Sequence, residues 1–132
     1  MRQIATLVLT LGTLLAFGQT DKAVRGQQFK LKGKIINEVS LTPDCGTIAW
    51  GTIIEFEIIE FSDSDYKSNV IGVIVTCPEF YKANFFQVGQ TYTMTLADEN
   101  QADFGWTIPN ESTLDKYKLK KRLWMVKADR EL

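Results

Sequence analysis

The stretch Phe29-Lys30-Leu31-Lys32-Gly33-Lys34-Ile35 sets apolar and basic residues at alternating positions, the two-residue period of a strand with one buried face. Phe29, Leu31 and Ile35 share that face. Gly33 falls on it too, and a glycine at an inward position marks sharp coiling or a bulge. A first strand that curls in this way opens a barrel more readily than a flat sheet.

The downstream sequence continues the pattern. Ser40 to Gly46 is a turn cluster containing Thr42, Pro43 and Asp44. From about Thr47 to Phe61 a long strand is expected, in which Ile54, Phe56 and Ile58 alternate with Glu55 and Glu57 until the phase slips at Ile58-Ile59, as a bulge produces. Ser62 to Asn69 reads as a polar hairpin loop. Val70 to Val75 is a nearly continuous apolar run, a central strand that Pro78 stops. Glu79 to Phe86 is expected to make one or two helical turns, with Phe80, Tyr81, Phe85 and Phe86 as packing residues. Val88-Gly89-Gln90 is a turn, and Tyr92, Met94 and Leu96 then alternate with Thr91, Thr93 and Thr95 in a fourth strand. Ala97 to Lys116 reads as a long irregular segment broken by Gly105, Pro109, Asn110 and Ser112 and pinned by Trp106 and Ile108. A closing strand is expected over about Arg122 to Ala128. This order predicts an all-β fold with minor α content: a five-stranded, partly open, OB-like barrel with a short helix between strands three and four.

Near its start the chain carries Arg2, an apolar run from Ile4 to Phe17, and Ala16-Phe17-Gly18, the layout of a secretory signal peptide. The run is about 14 residues long, whereas a membrane span needs about 20, so a cleaved leader fits better than an anchor. Residues 1–18 are therefore expected to be a signal peptide, and residues 19–132 one domain, secreted or periplasmic through bacterial export. Nothing after Gln19 is apolar over spanning length. Losing Arg2 takes the formal charge from −1 to −2, which makes neither nucleic acid nor an anionic membrane an obvious partner. The two cysteines, Cys45 and Cys77, suit a structural disulfide in an oxidising compartment; a redox-active pair would be closely spaced.

The chain contains no histidine. That removes Ser-His-Asp and Cys-His catalysis and, with two cysteines, leaves too few ligands for a usual zinc site. No cofactor, metal or catalytic residue is expected. Asp63-Ser64-Asp65 lacks the glycine and distal glutamate of a calcium loop and reads as a solvated hairpin tip. Glu55 and Glu57 stand about 7 Å apart on one strand face, the basis of an alternative reading as a carboxylate-only hydrolase; pairing with the Lys30, Lys32 and Lys34 row is the stronger expectation. The C-terminal lysines and arginines, interleaved with Tyr117 and Trp124, make Lys118, Lys120, Arg122 and Trp124 the candidate ligand-binding residues, against a simpler role in protecting an edge strand. Asn110-Glu111-Ser112 matches a glycosylation sequon and is read as chance.

From Ile53 to Tyr92 the long Ile/Glu/Phe strand, the apolar strand Ile71 to Val75, and the spacing Phe86-x-Val88-Gly89-x-x-Tyr92 together resemble the netrin-like domains, which include the tissue inhibitors of metalloproteinases. The resemblance implies an OB-like barrel and a protease-inhibitor role. Those inhibitors present an N-terminal cysteine to the protease zinc, where this chain has Gln19 at its expected mature start. The sequence thus favours a secreted, non-enzymatic binding module for an exported protein or polysaccharide, with an inhibitor-like domain as the second reading.

Overall fold

The computed structural model describes residues 22–39 and 45–132; the expected signal peptide and the turn residues Thr42, Pro43 and Asp44 lie outside them. Five strands, β1 (Gln28–Ile35), β2 (Gly51–Phe61), β3 (Val70–Thr76), β4 (Thr91–Ala97) and β5 (Trp124–Arg130), close into a barrel in the order β1-β2-β3-β5-β4. β4 returns to β1 over the full length of the first strand, from Gln28 opposite Ala97 to Lys34 opposite Thr91. The β3–β5 seam is parallel and thin. It rests on the Ile74–Trp124 bridge, where the Ile74 N–H donates to the Leu123 carbonyl at 2.9 Å. The opening anticipated from the sequence is reduced to this join.

The core follows from the alternation. Leu31 and Ile35 of β1, Ile54 and Phe56 of β2, Ile71, Val73 and Val75 of β3, and Tyr92, Met94 and Leu96 of β4 are buried in one cluster. Each large side chain of this kind contributes about 1.5–3 kcal/mol on leaving water. Gly33 lies where β1 crosses β2: a Cβ there would meet Phe56 Cβ at 3.0 Å and the Glu57 carbonyl at 3.1 Å. The bulge falls where the phase slips, since Lys32 pairs with Glu60 and Gly33 with Ile58, leaving Ile59 unpaired and half exposed. That extra residue supplies the twist a small barrel needs.

Several boundaries differ from the sequence reading. β2 begins at Gly51 instead of Thr47, because residues 45–47 form a turn around the Cys45–Cys77 disulfide. The helix expected over Glu79 to Phe86 is one 3-10 turn, Pro78–Phe80. Tyr81, Phe85 and Phe86 instead pack ring against ring, with centroids 4.8–5.1 Å apart, while Phe80 points outward. The Tyr92 hydroxyl closes this connection, donating to the Phe85 carbonyl at 2.5 Å and accepting from the Gln87 N–H at 2.9 Å. β5 starts at Trp124, later than expected. The segment read as irregular contains a seven-residue 3-10 helix, Glu111–Tyr117. Among the described residues no helix is long and apolar enough to cross a membrane.

Candidate functional site

The connection between β4 and β5 builds the site. β1 ends opposite Phe56, so the first half of β2 has a bare edge on that side. Residues 107–110 take the missing strand's place. The Gly51 N–H donates to the Thr107 carbonyl at 2.9 Å and the Thr107 N–H to the Ala49 carbonyl at 2.7 Å. One step further along, the Asn110 side chain stands in for a backbone amide: its Oδ1 accepts from the Ile53 N–H at 2.9 Å and its Nδ2 donates to the Ile53 carbonyl at 3.1 Å. The residue that heads the sequon is thus a structural one.

The 3-10 helix that follows lies on the outer face of β2 and β3. Gly72 permits the contact, because a Cβ there would sit 3.0 Å from both Leu114 and Tyr117. Glu55, expected beside the lysines of β1, is instead sealed under this helix at 4% exposure. It accepts hydrogen bonds from the Tyr117 hydroxyl and the Lys116 ammonium. Burial, reinforced by the Glu55 carboxylate, raises the Tyr117 pKa above the ordinary tyrosine value. Of the acidic row, Glu57 does face β1, pairing with Lys34 at 3.4 Å. Lys32 reaches Glu131 at 3.0 Å and Lys30 the Thr95 hydroxyl at 2.5 Å. Glu55 is thus buried beneath the 3-10 helix, while Glu57 lies in an ion pair with Lys34. The β2–β3 face, on which OB-folds hold their ligands, is occupied by the chain's own loop.

Past Tyr117 the chain turns through Lys118 in the left-handed region, φ 43°, a helix-terminating conformation normally given to glycine or asparagine. It then runs along one end of the barrel, where a groove of about 500 Å³ opens between the β2–β3 turn and residues 116–123. Phe29, Phe61, Tyr66 and Tyr117 supply its apolar walls. The rings of Phe29 and Phe61 are tilted by 47° and those of Phe61 and Tyr66 by 81°, so they make a hollow instead of a flat platform. The Tyr66 hydroxyl is fixed on the Val70 carbonyl at 2.5 Å.

Charged side chains rim the hollow. Lys121 is tied to Asp98 at 3.1 Å, and Asp98 also accepts from the Gln27 N–H at 2.8 Å. The Lys121 ammonium and the Gln27 N–H hold the Asp98 carboxyl below the usual aspartate range. Lys116 is held by Glu55 and Lys67 by the Ser64 carbonyl at 2.8 Å. Lys118 and Lys120 make no ion pair among the described residues, nor do Asp63 and Asp65 on the facing turn.

The four candidate residues are thus split between two places and a surface pair. Lys118 and Lys120 line the groove. Arg122 turns outward to Glu111 of the 3-10 helix. Trp124 lines a second cavity of about 220 Å³, with Trp106 and residues 22–24. Neither lysine lies in a strand, so edge protection does not explain them. The hairpin turn and the aromatics at Phe29, Phe61 and Tyr66 were not singled out from sequence as site residues. The register of Phe61 opposite Leu31, at the start of β1, is what gathers them, and an unpaired sequence does not show it.

Cys45, Cys77 and Glu79 also converge, with ligand-type atoms within 4.8 Å. The disulfide leaves no thiolate there, and one carboxylate is a poor donor set; Glu79 instead accepts the Cys45 N–H at 2.6 Å. Comparison of the chain with protein-family models, with curated proteins and with solved structures found no match.

Proposed function

We propose that this chain is an exported, non-enzymatic binding module that engages its ligand in the barrel-end groove. The observation that carries the reading is the pair Lys118 and Lys120, which line an aromatic hollow of ligand-pocket size and make no ion pair among the described residues. Pockets of this kind combine apolar walls with a few convergent charges. The disulfide favours an oxidising compartment and so agrees with export. The occupied β2–β3 face directs attention to the barrel end.

The test is capture of partners from an exported fraction on immobilised mature protein, beside the double variant Lys118→Glu/Lys120→Glu checked for folding by circular dichroism. A species retained by the parent chain and lost with the variant supports the reading. Identical retention by both, or no retention, contradicts it.

A further inference from the structure

Resting on that groove as the binding site, we infer that its ligand is a short extended peptide segment in which one apolar side chain lies between an acidic and a basic group. Three features of the groove lead to this chemistry.

The first is the shape of the apolar part. A pyranose or a nucleobase is held by a flat ring face open to it, and base stacking of that kind takes successive exposed rings. Here Phe29, Phe61 and Tyr66 are inclined to one another at 47° and 81°, so the three rings that line the groove do not form one flat face. Such a hollow takes a branched or aromatic side chain.

The second is the distribution of charge. Among the described residues, Lys118 and Lys120 on the lip formed by the chain after Tyr117 make no ion pair, and on the facing β2–β3 turn neither do Asp63 and Asp65 nor Lys67, whose ammonium is held by the Ser64 carbonyl at 2.8 Å. A uniformly anionic polymer laid across the groove would set its charges against both aspartates, and like charges brought together across an interface count against binding. A ligand with a carboxylate toward the lysines and an ammonium or guanidinium toward the aspartates satisfies both lips. Asp63 is already oriented, because its Oδ1 accepts the Asp65 N–H at 3.0 Å.

The third is size. About 500 Å³ lies within the range of pockets that enclose small ligands, roughly 300–1,000 Å³. That volume accommodates one large side chain and the backbone beside it, and leaves the rest of a longer chain outside.

The experiment uses mature protein with its disulfide intact and three labelled pentapeptides read by fluorescence anisotropy. One has a central leucine flanked by a terminal lysine and a terminal glutamate; the others carry glutamate at both ends or lysine at both ends. A heparin hexasaccharide is the polyanion control. The expected result is binding of the dipolar peptide at least tenfold tighter than either homopolar one, with no competition from heparin. Lys118→Glu/Lys120→Glu should shift the preference to the lysine-ended peptide. Asp63→Asn/Asp65→Lys, which keeps an acceptor for the turn, should shift it to the glutamate-ended one. Tighter binding of heparin or of the acidic peptide overturns the inference in favour of an anionic ligand; equal affinity of all three peptides overturns it because the two lips then make no selection by charge. If groove-dependent capture succeeds while no peptide binds, the peptide inference fails and the groove reading stands.

Discussion

Replacing Asn110 by alanine tests whether the β4–β5 connection is integral to the barrel. In the parent chain the Asn110 amide satisfies both the N–H and the carbonyl of Ile53, at 2.9 and 3.1 Å, and Ile53 is 6% exposed. Truncation leaves both groups without a partner. A buried polar group deprived of its hydrogen bond costs about 1–3 kcal/mol, and the carbonyl and the half-buried position of Asn110 allow some relief by water. The expected loss is therefore about 2–4 kcal/mol. For a domain near 100 residues each kcal/mol moves the melting temperature by roughly 4 °C, which gives a fall of about 8–16 °C. Urea unfolding should show a lower midpoint at unchanged slope, and the Ile53 amide should exchange faster with solvent. Asn110→Asp keeps the acceptor for the Ile53 N–H and loses the donor to its carbonyl, so it should fall between parent and alanine in N–H protection. A loss below about 0.5 kcal/mol with Ile53 protection unchanged would refute the assignment, because surface substitutions away from such features stay within that limit.

Other outcomes follow from the same structure. Replacing Cys45 and Cys77 together by serine opens a link across a sequence separation of 32, and loop entropy puts the loss at about 3.7 kcal/mol; equal urea midpoints for parent and variant would contradict a structural disulfide. Gly33→Ala pushes a methyl against Phe56 and the Glu57 carbonyl at 3.0–3.1 Å, and overpacking against backbone should cost about 1–3 kcal/mol in the same assay. Asp98 has a depressed pKa in the folded state because of Lys121 and the Gln27 N–H. Its contribution is present above the unfolded aspartate value of about 3.9 and is lost as pH falls through the lower folded value. Asp98→Asn should accordingly lie below the parent at neutral pH and converge with it in acid; a constant gap across the titration would reject the linkage.

The barrel was legible because its strands carry their own period. Leu31, Ile54, Met94 and their alternates face inward as the two-residue pattern dictates, and the bulge at Ile58-Ile59 shows as a break in that pattern. The disulfide was legible from the count and placement of cysteines. The 3-10 helix was not, because Pro109, Asn110 and Ser112 look like breakers. Yet Asn110 ahead of Glu111, with Leu114 and Tyr117 three apart, carries a helix-start signal that was available. Glu55 misled for a related reason: strand alternation places it correctly on the outer face, and only the loop that folds back over that face buries it. The site was half visible. Lys118 and Lys120 stand out as charges, whereas Phe61, Tyr66 and Asp63 join them through strand pairing across the barrel end, which no local pattern encodes.

The most direct test of the central claim is hydrogen exchange of the mature chain, alone and bound to the partner it captures. Binding in the groove predicts new protection confined to residues 61–68 and 116–121. Protection centred on residues 79–90 around the exposed Phe80, with residues 116–121 unchanged, would place recognition at the other end of the molecule and contradict the account.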